Sequence, residues 1–279
     1  MENTIKIRSV MIIPNVTKPE TLEYTDKLID FFEKKEIKTY VVKDVSAKED
    51  IPLDIDMAVV LGGDGSVLVG ASYLDGMDVP IIGINFGHFG YLTECEPRDG
   101  FEAIEQVLRG NYIIEERMML SCKLFGESNE DYTEYSALNE AVIYRGSLMH
   151  ILDIPLCINN KPITNLLCDG IIICTPTGST AYNLSAGGPV LVPTSENIAI
   201  TPICQRNPSC SSIVTSGSDT VGASVDKTAF LCIDGQKQIR IEKGARLIFT
   251  KSDRKTKIIK ISDGSFYTAL QKKLSKEME

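Results

Sequence analysis

The chain has 279 residues, 43% hydrophobic and 24% charged, and a formal net charge of −9. That length and composition allow one large or two modest soluble domains with a real core. The acidic balance excludes broad nucleic-acid binding, which needs a basic face. No apolar run reaches a membrane span, and Lys6 and Arg8 break up the early apolar stretch that a signal peptide would need, so the reading is a cytoplasmic protein with no membrane partner.

Taken in chain order, the first part alternates strand and helix. Ile5 to Ile13 reads as a strand ending at Pro14, and Pro19 opens a helix in which Leu22, Ile29 and Phe32 recur at helical spacing. Ile37 to Val42, Met57 to Leu61 and Pro80 to Phe86 are further strands, and Val67 to Leu74 is a short helix after the third strand. Asp99 to Arg109 fits a helix with Phe101, Ile104, Val107 and Leu108 on one face and Gly110 at its end. This rhythm predicts a mostly parallel sheet with helices on its faces. Ligands on such sheets sit beyond the carboxyl ends of the strands.

From about Met118 the pattern turns to β. Met119 to Phe125, Tyr135 to Tyr144, Ile151 to Ile158, Ile163 to Leu167 and Ile171 to Cys174 read as strands, with Asn159-Asn160 as a hairpin turn. Ala229 to Ile233, Gln238 to Ile241, Ala245 to Thr250 and Lys257 to Ile261 follow, punctuated by Asp234-Gly235, Lys243-Gly244 and Ser252-Asp253. Phe266 to Leu274 is a helix that would pack back on the first domain. The expected organisation is therefore an α/β domain over 1–117, joined by 263–279, and a β-rich, sandwich-like domain over 118–262. The eight cysteines include no Cys-x-x-Cys pair, and only two histidines are present. They read as reduced thiols rather than as a disulfide framework or a zinc site.

Five stretches carry candidate chemistry. Gly62-Gly63-Asp64-Gly65-Ser66 follows a buried strand and precedes a helix. Glycines allow a tight turn and close backbone approach to a ligand, and a helix N-terminus offers free N–H groups to phosphate. Asp64 adds a carboxylate able to take a proton from a hydroxyl or to face a metal-bound phosphate. An ordinary strand–turn–helix corner uses the same residues, and this motif alone does not separate the two readings. Asn85 to Glu94 closes the fourth strand with glycines, His88 and Tyr91. Leu138-Asn139-Glu140-Ala141 sets an amide and a carboxylate inside a β segment. Asp169-Gly170 precedes an apolar strand, and Thr175-Pro176-Thr177-Gly178-Ser179-Thr180-Ala181-Tyr182 follows it. Hydroxyls and small residues at that density suit a nucleotide.

Together these motifs resemble the NAD kinase family over about Val59 to Asp234. The glycine-rich Asp motif, also found in similar form in lipid kinases and phosphofructokinases, is the less specific part, and the Thr-Pro-Thr-Gly-Ser-Thr-Ala-Tyr block the more specific. The resemblance implies a kinase that phosphorylates the 2′-hydroxyl of the adenosine ribose of NAD, with Asp64 helping to deprotonate that hydroxyl. It further implies that Gly62, Gly63, Gly65 and Ser66 shape the site of transfer, and that Asn139 bonds adenine and Glu140 the ribose hydroxyls. Thr177, Thr180 and Ala181 would line the adenine side, Tyr91 and Tyr182 supply walls, and Asp169 meet the nicotinamide half. Leu68, His88 and Ser185 would also lie against NAD, as would Gly65. Arg145 would join Gly62, Gly63 and Ser66 on the donor side.

The chain departs from the family after Thr201-Pro202-Ile203-Cys204, where the family's Pro-His and later Arg-Pro are replaced by Gln205-Arg206-Asn207-Pro208-Ser209-Cys210-Ser211-Ser212. Arg206 would then supply the missing group for the donor. ATP, or polyphosphate, is the implied donor and Mg2+ the implied divalent cation, with metal ligands unassigned. A homo-oligomer, tetramer or dimer, is the implied assembly. Two alternatives stay open on the residues alone: a lipid kinase using the same Asp loop, and a non-catalytic dinucleotide-binding regulator.

Overall fold

The structure is a computed structural model that describes residues 6–45, 54–87, 90–126, 131–146, 150–206, 211–261 and 266–276. The chain divides into two compact units, residues 1–116 with 256–279, and 117–255.

The first unit starts with β1 (Ser9–Pro14), α1 (Pro19–Glu33), β2 (Lys38–Val41), β3 (Met57–Gly62), α2 (Asp64–Tyr73), β4 (Ile81–Asn85) and α3 (Gly100–Leu108). The strands run parallel in the order β2-β1-β3-β4. Strands buried on both faces read as continuous apolar runs, as Met57 to Leu61 does. Leu28 and Phe32 of α1 and Ile104 and Val107 of α3 pack with Val10, Ile12, Val59 and Ile84 in one core. The apolar stripe of α1 is formed by Tyr24, Leu28 and Phe32, whereas Leu22 points to solvent.

The second unit is antiparallel. After β5 (Ile113–Phe125) and β6 (Tyr132–Ala137) come β7 (Glu140–Arg145), β8 (Leu152–Ile158), β9 (Lys161–Cys168) and β10 (Gly170–Cys174). A 3-10 turn (Gly178–Thr180) and the one-turn helix α4 (Tyr182–Ser185) lead to β11 (Asn197–Ile203), β12 (Ile213–Ser216), β13 (Val221–Ser224), β14 (Ala229–Ile233), β15 (Lys237–Ile241) and β16 (Arg246–Lys260). One sheet has the order β12-β11-β10-β7-β14-β15. The other strands include β9-β8-β13, with β13 paired to the first part of β16. Ile143, Ile171, Ile173 and Leu231 from the six-stranded sheet share a core with Leu156, Val221 and Phe249. Two sheets facing each other across one core make the unit sandwich-like. The chain ends in α5 (Phe266–Lys276), in the first unit, where Phe266 meets Tyr91 at 6.0 Å between ring centroids.

Four differences from the sequence reading have physical causes. Tyr135 to Tyr144 is two strands, because Leu138 and Asn139 leave the ladder and bond to side chains and loops instead. Ala245 to Thr250 and Lys257 to Ile261 are one strand, β16, and Ser252-Asp253 is no turn. Residues 256–261 belong to the first unit, since Ile258 pairs with Ile81 and Lys260 with Glu94. β11, β12 and β13 escaped the reading: Pro202 lies inside the first, and small residues fill the last. The seven described cysteines are free thiols.

Asn159 and Asn160 both have positive φ, 51° and 61°, as a two-residue hairpin requires. Asn160→Val should therefore cost about 1–2 kcal/mol in urea unfolding, while Asn160→Gly keeps full stability.

Candidate active site

In the first unit the glycine turn sits at the carboxyl end of β3. Gly62 stands so close to Ser66 that a Cβ would lie 2.0 Å from the Ser66 hydroxyl oxygen. Phe86 donates its N–H to the Gly62 carbonyl (2.8 Å), tying this turn to the end of β4. Asp64 is the first residue of α2, and its carboxylate is held from the opposite loop. Oδ2 accepts the Tyr91 N–H at 2.8 Å and Oδ1 the Leu92 N–H at 2.9 Å. A Cβ on Gly90 would come within 2.0 Å of Oδ1, so only glycine lets this loop approach. A carboxylate has about four lone-pair sites, so each Asp64 oxygen keeps room for one further donor.

Two residues missing from the sequence reading join this edge. Asn15 donates to the Ser66 hydroxyl (3.3 Å), and the Lys18 ammonium donates to the Phe86 carbonyl (2.7 Å). Leu68 is buried in α2. His88 lies outside the described residues.

In the second unit the register of β7 decides what faces the pocket. Side chains alternate along a strand. Ala141 and Ile143 therefore enter the core between the sheets, while Glu140, Val142 and Tyr144 line a pocket of ≈590 Å³ on the other face. Arg145, Asp169, Tyr182, Ile203 and Cys232 complete much of the lining. A shift of one residue would turn Glu140 into the core.

That register is set where β6 gives way to β7. Asp234, just past β14, accepts the N–H of Leu138 through Oδ2 (2.8 Å) and those of Asn139 (2.8 Å) and Glu140 (3.0 Å) through Oδ1. Thr175, just past β10, donates its N–H to the Asn139 carbonyl (2.9 Å) and its hydroxyl to the Leu138 carbonyl (2.5 Å). Gly178 packs on the same peptide, where a Cβ would lie 2.2 Å from the Asn139 carbonyl oxygen. Asn139 and Glu140 are both buried, Glu140 to 6% exposure.

Glu140 is the strongest electrostatic feature of the pocket. Burial, with a smaller contribution from the Asp234 carboxylate, pushes its pKa up to about 8. Its Oε2 is buried with no protein partner among the described residues, which leaves its hydrogen-bonding capacity for a water or a ligand. Burial also raises the Asp234 carboxyl, but its three peptide N–H groups oppose the rise. Burial thus raises both carboxyls, and peptide N–H groups offset the rise at Asp234.

The remaining predicted residues divide. Arg145 and Asp169 form an ion pair at 2.8 Å on the pocket wall, which joins a residue expected near the donor to one expected near NAD. Thr177 and Thr180 are buried, and the Thr177 hydroxyl lacks a protein partner among the described residues. Ala181 is half-buried, Ser185 is exposed, and Tyr182 lines the pocket while 44% exposed. Arg206 is exposed, with its N–H on the Leu167 carbonyl. The sequence reading treated Asp234 as turn punctuation and passed over Asn183. The latter is fully buried, its amide bonded to Ser179, Pro189 and Thr201. An Asp-Gly turn and an Asn inside a hydroxyl-rich block were the available signals.

Comparison with known proteins agrees with these motifs. Residues 10–112 match the ATP-NAD kinase N-terminal domain and residues 138–261 the ATP-NAD kinase C-terminal domain. An NAD kinase of Lachnoclostridium phytofermentans is 34% identical over 281 residues, covering 96% of this chain and 99% of that one. An NAD kinase of Clostridium beijerinckii is 36% identical over 252 residues, covering 89% and 87%. Yeast NADH kinase complexed with NADH shares the fold with a TM-score of 0.89, at 23% identity over 97% of this chain and 88% of that one. An NAD kinase from Archaeoglobus fulgidus in complex with ATP gives 0.74, at 25% identity over 90% and 92%. Fold and motifs together define a two-part kinase built from an α/β unit and an antiparallel β unit. The chain belongs to the NAD kinase family.

The Glu140 shift has a consequence for stability. A carboxyl whose folded pKa lies above its ordinary 4.5 binds more protons folded than unfolded between 4.5 and about 8. Stability attributable to this group therefore falls as pH rises through that window. Glu140→Gln removes the titration, so its melting temperature relative to the parent should climb steadily from pH 5 to pH 8. A constant difference across that range would show that Glu140 is already ionised.

Proposed function

We propose that the chain transfers the γ-phosphoryl group of ATP to the 2′-hydroxyl of the adenosine ribose of NAD, giving NADP and ADP. The observation that carries this reading is Asp64. It is a carboxylate fixed by two peptide N–H groups beside a glycine turn and a helix start, with lone pairs left for a hydroxyl proton. In the transfer Asp64 accepts the proton of the 2′-hydroxyl. The bond from that oxygen to the γ-phosphorus forms as the bridge to the β-phosphate breaks, and ADP leaves. Such reactions depend on positioning and charge stabilisation more than on covalent chemistry.

Asn139 and Glu140 are assigned to the nucleoside. A protonated Glu140 offers a donor as well as an acceptor to ribose hydroxyls, and the free Oε2 and Thr177 hydroxyl are the groups a ligand would satisfy. Tyr182 and Tyr144 give the pocket aromatic surface, and Asp169, held by Arg145, is assigned to the nicotinamide half. Among the described residues no three His, Cys, Asp or Glu side chains cluster to hold an ion. These residues do not build a resident metal site. Mg2+ is assigned instead to the substrate, carried on the phosphates of ATP, as is common for that ion. The family reading also includes a homo-oligomer, dimer or tetramer, which sedimentation would size.

Asp64→Asn should lower kcat by about 10²–10⁴-fold, the usual contribution of a general base. NAD affinity measured by titration should stay within a few-fold of the parent. Turnover near the parental rate in the folded variant would remove Asp64 from the reaction.

Arg206 is the proposed replacement for the missing Pro-His. Arg206→Ala should then raise KM for ATP while leaving that for NAD unchanged, the pattern of lost ground-state binding to one substrate. Unchanged KM for both substrates would return Arg206 to the solvent-facing surface.

A further inference from the structure

Asp234 forms no part of the nucleoside assignment above, yet the two residues given that role hang from it. β7 lies between β10 and β14, and the residue just past each neighbour grips the segment before it. On the β10 side Thr175 supplies donors to the carbonyls of Leu138 and Asn139. On the β14 side the Asp234 carboxylate gathers the three consecutive N–H groups of Leu138, Asn139 and Glu140. The exchange is reciprocal, because the Asp234 N–H donates to the Glu140 carbonyl at 3.0 Å. Asp234 can aim its carboxylate this way from a left-handed backbone, φ 49°, followed by Gly235 at φ 68°.

Three convergent N–H groups define one position for a short segment far more sharply than ladder bonds made one at a time. The geometry points to Asp234 as the positioning residue of the nucleoside site, acting through the backbone of Leu138 to Glu140 to aim the Asn139 and Glu140 side chains at NAD. The inference rests on the assignment of Asn139 and Glu140 to NAD. Asp234 itself need not touch the ligand.

A merely structural Asp234 would change melting temperature and the fraction of active protein, and leave the kinetics of the folded molecules alone. A positioning Asp234 changes NAD binding selectively. Asp234→Asn keeps the size of the side chain but turns an amide NH2 toward a peptide N–H, so one of the three bonds is lost. In the full-length protein, the NAD Kd should rise about tenfold or more, the scale of one charge-assisted hydrogen bond. The kcat at saturating NAD and the KM for ATP should stay within about threefold. Hydrogen exchange of the Leu138 to Glu140 amides should accelerate, while Ile171 to Cys174 of β10 stays protected. The effects of Asp234→Asn and Glu140→Ala on NAD affinity should be strongly non-additive, since one acts through the other.

If Asp234→Asn does not fold, Gly235→Ala takes its place. A Cβ there meets no protein atom within 4 Å and strains the turn at positive φ. Because Gly235 also lines the pocket, faster hydrogen exchange of the Leu138 to Glu140 amides without ligand is required to separate a loosened segment from a methyl group in the ligand's way. The same selective loss of NAD affinity is expected. Weakened NAD binding in Asn139→Ala/Glu140→Ala, with unchanged binding in the folded Asp234 or Gly235 variant, overturns the positioning role alone. Unchanged binding in both overturns the nucleoside assignment, and the positioning role with it. A parallel fall in kcat and in affinity for both substrates also overturns it, because it would mark general damage.

Discussion

Peptide N–H groups that leave a ladder must find another acceptor, or folding carries the cost of burying them unpaired. In both units of this chain the acceptor is an aspartate, and a candidate-site motif is anchored by it. Asp64 receives the N–H groups of Tyr91 and Leu92, and Asp234 those of Leu138, Asn139 and Glu140. A carboxylate suits the task because it presents two oxygens and several lone pairs from one short side chain. A loop otherwise free to wander is fixed to a strand end by bonds stronger than those between neutral groups.

The two aspartates differ in what remains after the loop is held. Asp64 is partly exposed at the start of α2, and each of its oxygens keeps lone pairs beyond the one peptide N–H it accepts. Asp234 is 9% exposed and has three donors, so its binding capacity goes to the protein. The neighbouring Glu140 has the opposite balance: it is buried, and among the described residues its Oε2 has no partner. Two carboxyl groups thus share one neighbourhood, both raised by burial, and differ in the peptide N–H groups that offset the rise at Asp234.

The same logic explains which parts of the fold were legible in the sequence. The parallel sheet was readable because each buried strand is a pure apolar run and each crossover helix has its own start signal, Pro19 for α1 and the glycine turn for α2. The hairpin at Asn159-Asn160 was readable because its residue types suit positive φ. The division of Tyr135 to Tyr144 was not, since its cause is Asp234, 95 residues from Asn139 along the chain. β16 was misread for a related reason. Ser252 and Asp253 are turn formers locally, and they are held in a strand of 15 residues by pairing at its two ends.

For the candidate site, the sequence pointed to residues whose types suggest chemistry and missed those that hold them in place. Asp64, Asn139, Glu140, Thr177 and Asp169 sit in motifs whose residue types announce chemistry. Asp234, Thr175, Gly90 and Asn183 are types that also serve as turns, caps and loop residues, and only their partners reveal their work. Gly90 shows the difference most sharply. Its sequence context offers a glycine in a loop, but the structure gives it one reason to be glycine: a Cβ would occupy the space of the Asp64 carboxylate. The Asp64 carboxylate is thus specified twice, by its own side chain and by the absence of another 26 residues away. The second half of that specification is invisible until the loop is folded against it.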